Sequence, residues 1–246
     1  MQDKIALVTG GMGGIGTAIA QQLAQKGAIV VVTYHREPAA ALAWQADQKK
    51  LGYEFSIVQA DITSFESSSN MVKTVLDQFK TIDILINNAG IIDDSSLVKM
   101  TQEQWHKVIS SDLDSLFNIT RNVIPIMLEK KYGRIINISS VNAQKGQFGQ
   151  TNYTAAKAGV HGFTKSLAYE VARKGITVNT ISPGYVKTSM MERIAPKVLD
   201  QIIEQIPVGR LAIPNEIASM VSFLAAETSA YITGANFAIN GGLHMS

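Results

Sequence analysis

Cysteine is absent from the 246-residue chain, which removes disulfides, thiolate nucleophiles and cysteine-held metals from consideration and leaves the redox compartment open. Runs of like charge are missing as well. Lys and Arg total 22 against 20 for Asp and Glu, a formal charge of +2, so there is no footprint for nucleic acid and a small-molecule partner is expected. No stretch approaches the ~20 apolar residues that span a bilayer, so no membrane partner is expected. At the amino terminus Met1, Gln2, Asp3 and Lys4 run straight into Ile5, Ala6, Leu7 and Val8. That apolar run is too short for a secretion signal and is followed by glycines rather than a cleavage site. These absences point to a cytoplasmic protein. Repeats, low-complexity tracts and a domain-boundary linker are not found either, and 46% hydrophobic residues suffice for one sizeable core.

What is present is an alternation of short Val- and Ile-rich runs with longer segments of helical period. That pattern builds a parallel sheet buried on both faces. Strands are expected at residues 4–9, 28–34, 55–59, 82–87, 134–139, 177–182 and 236–239, and helices at 14–26, 38–51, 64–79, 101–130, 151–173 and 214–226. The implied architecture is α/β: one Rossmann-type, doubly wound, seven-stranded parallel sheet with helices on both faces, in a single domain spanning 1–246. Residues 185–213 mix Met, Lys, Pro and Gly without clear periodicity and read as a substrate lid.

After the first expected strand come Thr9, Gly10, Gly11, Met12, Gly13, Gly14, Ile15 and Gly16, opening a helix through Ala18, Ile19 and Leu23. Glycine lets the backbone approach a pyrophosphate, and the free N–H groups at a helix start favour an anion. An ordinary glycine-rich turn is the plainer alternative. The end of the second strand selects the cofactor, because an acid there binds free ribose hydroxyls whereas a guanidinium accepts a 2′-phosphate. The residues are Thr33, Tyr34, His35 and Arg36, and Arg36 points to NADPH. A solvated Arg36, or Glu37 counted as the acid, would remove that argument.

Tyr153 and Lys157 are four positions apart on an expected helix and share one face, as many surface pairs do. Ser140, at the carboxyl end of the fifth strand, adds a hydroxyl where ligands of open parallel sheets bind. Hydride transfer to a ketone develops negative charge on oxygen, so a proton donor must be ready there. A phenol can serve if a nearby ammonium lowers its pKa from about 10. Tyr153 is therefore the expected acid, Lys157 its tuner and Ser140 the group that polarises the ketone. These residues require no metal.

The spacing of Gly10, Gly14 and Gly16, followed in order by Asn87-Asn88-Ala89-Gly90, by Tyr153 and Lys157, and by Ser182-Pro183-Gly184, resembles the short-chain dehydrogenase/reductase family over essentially the whole chain. The resemblance implies that Met12, Gly13 and Ile15 join the glycines at the pyrophosphate. It puts Asp61 and Ile62 beside adenine, Asn88, Ala89 and Gly90 at the ribose region, and Pro183, Gly184, Val186 and Thr188 on the nicotinamide side. Lys157 would also hold the nicotinamide ribose. Where many members have Asn in a proton relay, this chain has Asp112. Relay through the backbone carbonyl would leave activity intact, and Asp112→Asn would then change turnover by less than about a hundredfold; a carboxylate could equally shift the pKa of Lys157.

Within the family, residues 139–153, the opening glycine loop and the ending from Asn240 to Met245 resemble acetoacetyl-CoA reductases of polyhydroxybutyrate synthesis. That implies an acyl-CoA substrate, with Gln147, Phe148, Gln150 and Tyr185 lining the acyl pocket, and an (R)-3-hydroxyacyl product. Loop packing is the alternative for Phe148 and Tyr185. A 3-oxoacyl-acyl-carrier-protein reductase would need a basic docking surface beside the pocket, for which Lys130, Lys131, Arg173 and Lys174 are the candidates. A reading from another class is a non-catalytic NADPH-binding sensor or scaffold, for which Asp112 is the one positive argument. Leu116, Phe117, Val160, Phe163 and Leu167 exceed what one sheet face uses, and the resemblance implies a homotetramer through these helices; core packing is the alternative.

Overall fold

The computed structural model describes residues 1–189, 191 and 195–245. Short apolar runs dominated by Ile and Val form β1 (Ile5–Val8), β2 (Ile29–Tyr34), β3 (Ser56–Gln59), β4 (Ile84–Asn87), β5 (Gly133–Ile138), β6 (Ile176–Pro183) and β7 (Asn236–Ile239). They pair in the order β3-β2-β1-β4-β5-β6-β7, every neighbour parallel. Each strand lies within two residues of its expected bounds. The order reverses between β1 and β4, and at such a switch point the connections from neighbouring strands depart to opposite faces, opening a crevice at the carboxyl ends.

Successive side chains of each strand point to opposite faces, so the sheet carries two cores. Ala6, Val8, Val32, Ile86 and Ile136 pack with Ile19 and Leu23 of α1 (Gly14–Gln25) and with Ile217, Val221 and Leu224 of α9 (Pro214–Ala225). Leu7, Val31, Leu85, Ile135 and Val178 pack with α3 (Phe65–Phe79), α5 (Ser115–Lys130) and α7 (Thr151–Val171) through Met71, Val75, Ile119, Val123, Met127 and Val171. Each fully buried aliphatic side chain contributes about 1.5–3 kcal/mol. The helix α2 (Pro38–Lys50) flanks β3, its Trp44 stacked on Phe55 at 5.4 Å.

Two segments differ from the sequence expectation. The helix expected over 101–130 is broken into α4 (Gln102–Ile109), a π-helical turn (Ser110–Asp114) and α5. The wider turn carries Asp112 to a wholly buried position, which a regular 3.6-residue period does not anticipate. The lid segment also contains regular structure. Besides the short α6 (Asn142–Lys145) after β5, the chain forms α8 (Pro196–Glu204), where Val198, Leu199, Ile202 and Ile203 make one apolar stripe but no side chain is buried. The lid's ends are laced together: Lys187 donates to the Ala212 carbonyl at 2.8 Å and Ala212 to the Tyr185 carbonyl at 2.9 Å. Residues 190 and 192–194 of the expected lid lie outside the described residues.

Candidate active site

The glycine loop leaves β1 and enters α1 at the switch point. Gly10 has a φ of 61°, a conformation that side-chain-bearing residues rarely adopt, and a Cβ on it would stand 2.9 Å from the Ala89 backbone. At Gly16 a Cβ would meet the Gly10 carbonyl oxygen at 2.3 Å, and at Gly14 it would meet the Thr188 methyl at 2.8 Å. The β4 loop is tied to the same place: Asn88 Nδ2 donates to the carbonyls of Thr9 and Gly10, while Thr9 Oγ1 accepts from the N–H groups of Asn88 and Ala89. Gly13, by contrast, would set its Cβ 3.5 Å from Gly10 O and near nothing else, so the rim stays open above the helix N-terminus. This cradle of bare backbone fits a pyrophosphate. The resemblance-derived set Gly10, Met12, Gly13, Gly14, Ile15, Gly16, Asn88, Ala89 and Gly90 is therefore brought together. Thr9, which clamps the two loops, was not singled out from sequence.

Thr188 reaches the cradle from the other side, at Gly14, while Val186 is buried in the core and bridges to Ala212. β6 ends at Pro183, whose carbonyl accepts from Val141 N–H at 2.8 Å, and Gly184 donates to the Ile239 carbonyl at 2.9 Å. A Cβ on Gly184 would stand 2.8 Å from Asn240 Cα, so β6 and β7 can close only around glycine. At the opposite edge, Asp61 and Ile62 follow β3. The Asp61 carboxylate accepts from Thr63 Oγ1 at 2.6 Å and from Thr63 N–H at 3.0 Å, and lies 3.5 Å from His35 Nε2. The Thr63 hydroxyl bond, aided by charge from His35 and Arg36, holds its pKa below the usual carboxylate range despite partial burial. The Asp61 carboxylate is thus turned to Thr63 and His35, whereas Arg36 is exposed with no carboxylate partner among the described residues. Asn118 Nδ2 donates to the carbonyls of Ile62 and Thr63, holding this loop. It lies 56 residues from Ile62 in the chain, and no local signal marks it.

Ser140 follows β5 and Tyr153 lies in the first turn of α7, so both reach the carboxyl end of the sheet. Ser140 Oγ accepts from Asn142 N–H at 3.1 Å, which fixes its hydroxyl. Lys157 is buried; its Nζ lies 5.7 Å from the Tyr153 ring centre, donates to the Ile138 carbonyl at 3.2 Å and stands 3.2 Å from Asp112 Oδ2. Ser139 Oγ donates to the Lys157 carbonyl at 2.8 Å, locking the helix turn onto β5. Asp112 Oδ1 accepts from Ile91 N–H at 2.8 Å. One expectation needs correcting. Tyr153 was expected below the ordinary phenol pKa, but burial pushes it up, aided by Asp112 and Asp94, and outweighs the pull of Lys157 and the Ser140 hydroxyl. Burial works against the Lys157 ammonium too, yet Asp112 and Tyr153 overcome it and the amine pKa is raised.

The four residues expected to line the pocket separate. Phe148 is 89% exposed, which rules out loop packing for its ring, and Gln147 is exposed beside Lys145. Tyr185 is half-buried, its phenol raised by burial and by Asp94. Gln150 is committed on both sides: Oε1 accepts from Asn142 Nδ2 and Nε2 donates to Asp94 Oδ2, each at 2.9 Å. It braces the Asp94 loop instead of offering a free amide. The basic candidates for a docking surface also move. Lys130 and Lys131 precede β5, Arg173 and Lys174 precede β6, and all four therefore lie at the amino ends of the strands, opposite Ser140 and Tyr153. Lys130 is ion-paired with Asp83. Among the described residues no helix is long and apolar enough to cross a membrane.

The chain is similar to known proteins over essentially its whole length. A family profile described as enoyl-(acyl carrier protein) reductase matches residues 10–244. An acetoacetyl-CoA reductase of Cupriavidus necator is 51% identical over 245 residues, covering 100% of both chains. A protein of the same name from Allochromatium vinosum is 53% identical over 243 residues, covering 98% of this chain and 99% of its own. A 3-oxoacyl-acyl-carrier-protein reductase of Vibrio cholerae is 44% identical over 245 residues, covering 100% of this chain and 99% of its own.

Proposed function

The chain belongs to the short-chain dehydrogenase/reductase family, and from that premise we propose that it transfers hydride from NADPH to the 3-keto group of acetoacetyl-CoA, giving (R)-3-hydroxybutyryl-CoA. The observation that carries the reading is the convergence of Ser140, Tyr153 and Lys157 at the mouth of the glycine cradle. NADPH, when bound there, supplies the hydride. Lys157 holds the nicotinamide ribose and stabilises charge on Tyr153. Ser140 donates to the ketone oxygen and orients it. Tyr153 gives its proton to the oxygen as charge develops, so an alcohol rather than an alkoxide leaves. Gln147, Phe148 and Tyr185 border the acyl chain, Gln150 braces their loop, and the 185–213 lid closes over the thioester arm.

Acyl-CoA is favoured over a carrier protein by the position of the basic residues. An acidic carrier needs cations beside the pocket, and β6 alone, at ~3.3 Å per residue, separates Arg173 and Lys174 from the site. The higher identity to acetoacetyl-CoA reductases points the same way. A sensor that has lost catalysis is disfavoured, because the acid, its amine and the serine all remain in place. We further assign the product to polyhydroxybutyrate synthesis in the cytoplasm. A homotetramer is also proposed, since Phe117 remains 55% exposed on α5 while Leu116 and Val160 are spent on the core. The test is the loss of NADPH with acetoacetyl-CoA, with acetoacetyl carrier protein and with crotonyl-CoA in parallel. Fastest turnover of acetoacetyl-CoA is expected, and preference for either other substrate would overturn the assignment.

Cofactor choice gives a separate expectation. Removing the Arg36 guanidinium by Arg36→Ala should raise the KM for NADPH about tenfold to a hundredfold, the worth of a charge-assisted hydrogen bond, and leave that for NADH nearly unchanged. Equal effects on both cofactors would mean that Arg36 does not meet the 2′-phosphate.

A further inference from the structure

Asp112 occupies the π-helical turn with no exposed surface, and its two oxygens face different groups. Oδ1 is taken by the Ile91 N–H, while Oδ2 stands 3.2 Å from Lys157 Nζ. Oδ2 has no well-angled hydrogen bond, so its contact with the ammonium is one of charge. Gly90 makes the approach possible, because a Cβ there would lie 2.7 Å from Oδ2 and 3.0 Å from Nζ. A buried carboxylate against a buried ammonium is held only if each offsets the other's lost hydration.

We propose that Asp112 is a positioning residue that acts through Lys157: its carboxylate cancels the ammonium charge facing Tyr153 and keeps the phenol loaded as a proton donor. This rests on the reductase reading. An amide at the same position would hold Ile91 equally well but would leave the ammonium uncancelled, and an uncancelled ammonium draws the proton off a phenol. The groups facing the pair are few. Asp112 comes from the π turn, Tyr153 and Lys157 from α7, Asp94 from the loop after β4 and the Ser140 hydroxyl from the loop after β5. Tyr185 lies further out near Asp94. Asp93 is already paired with Lys107 at 2.9 Å. Asp112 contributes an upward push to both Tyr153 and Lys157, so its charge delays the first proton lost by the pair whichever group releases it. The enzyme does not alter the overall equilibrium. What Asp112 sets is the pH window in which the donor is charged with its proton.

The test is Asp112→Asn, which preserves size and the acceptor for Ile91. Because reduction needs the protonated phenol, the alkaline limb of kcat/KM should move to lower pH by about one unit or more, the ordinary effect of removing a charge at this range. A purely structural role would lower turnover at every pH with the limb in place. The phenolate absorbance of Tyr153, obtained as the difference from Tyr153→Phe in each background, should shift by the same amount and needs no turnover. It therefore decides the matter even if acetoacetyl-CoA is the wrong substrate. Asp112→Ser, which also removes the charge, serves if the amide variant folds poorly. A limb and a phenolate titration that move by less than about half a unit, or upward, would overturn the proposal.

Discussion

Tyr153→Phe is expected to lower kcat for acetoacetyl-CoA reduction about a thousandfold or more while leaving the fold and NADPH affinity nearly intact. General acid catalysis contributes about a hundredfold to ten-thousandfold, and Tyr153 is the phenol held against Ser140 and Lys157 to supply it. Most of Tyr153 is buried and its hydroxyl is set by Ser140 and Lys157, so losing the oxygen removes the donor without opening a cavity. Ser140 would still bind the ketone but lies outside the proton's route. Comparing kcat with the dissociation constant of NADPH separates the two roles. A kcat within about tenfold of the unmodified enzyme would assign the proton to another group.

The second large effect concerns stability. Lys157→Met leaves Asp112 buried with a charge and no counterion, a situation that costs about 3–5 kcal/mol. Adding Asp112→Asn removes the stranded charge and should restore most of that stability, with activity still absent because the amine that holds and tunes the site is gone. Chemical denaturation of the two variants measures it. If the double variant is no more stable than Lys157→Met alone, the contact at 3.2 Å does not carry the energy assigned to it.

The sheet was legible because its strands are buried on both faces, so Ile5–Val8 reads as an unbroken apolar run and Ile84–Asn87 as one broken only at its last residue. The glycine loop was legible for a related reason: Gly10 and Gly16 sit where backbone meets backbone, and no other residue fits. What local pattern could not carry were contacts made between distant segments. Asn118 holding the Ile62 and Thr63 carbonyls, Gln150 bracing Asp94 across 56 positions, and Thr9 clamping Asn88 all depend on the folded sheet. The π turn escaped because it breaks the helical period only where Asp112 turns inward. The sign of the Tyr153 shift was missed because the sequence displays the ammonium at the next turn but not the depth of burial or the second charge behind it. α8 went unread since its apolar stripe is short and set among Lys, Pro and Glu.

The central claim is tested most directly by a structure of the unmodified protein holding NADP+ and acetoacetyl-CoA together. Tyr153 Oη and Ser140 Oγ should both lie within hydrogen-bond reach of the 3-keto oxygen, about 2.6–3.2 Å, with the ketone carbon facing the nicotinamide ring. A ketone seated beyond reach of Tyr153, with another proton donor against its oxygen, would contradict the account.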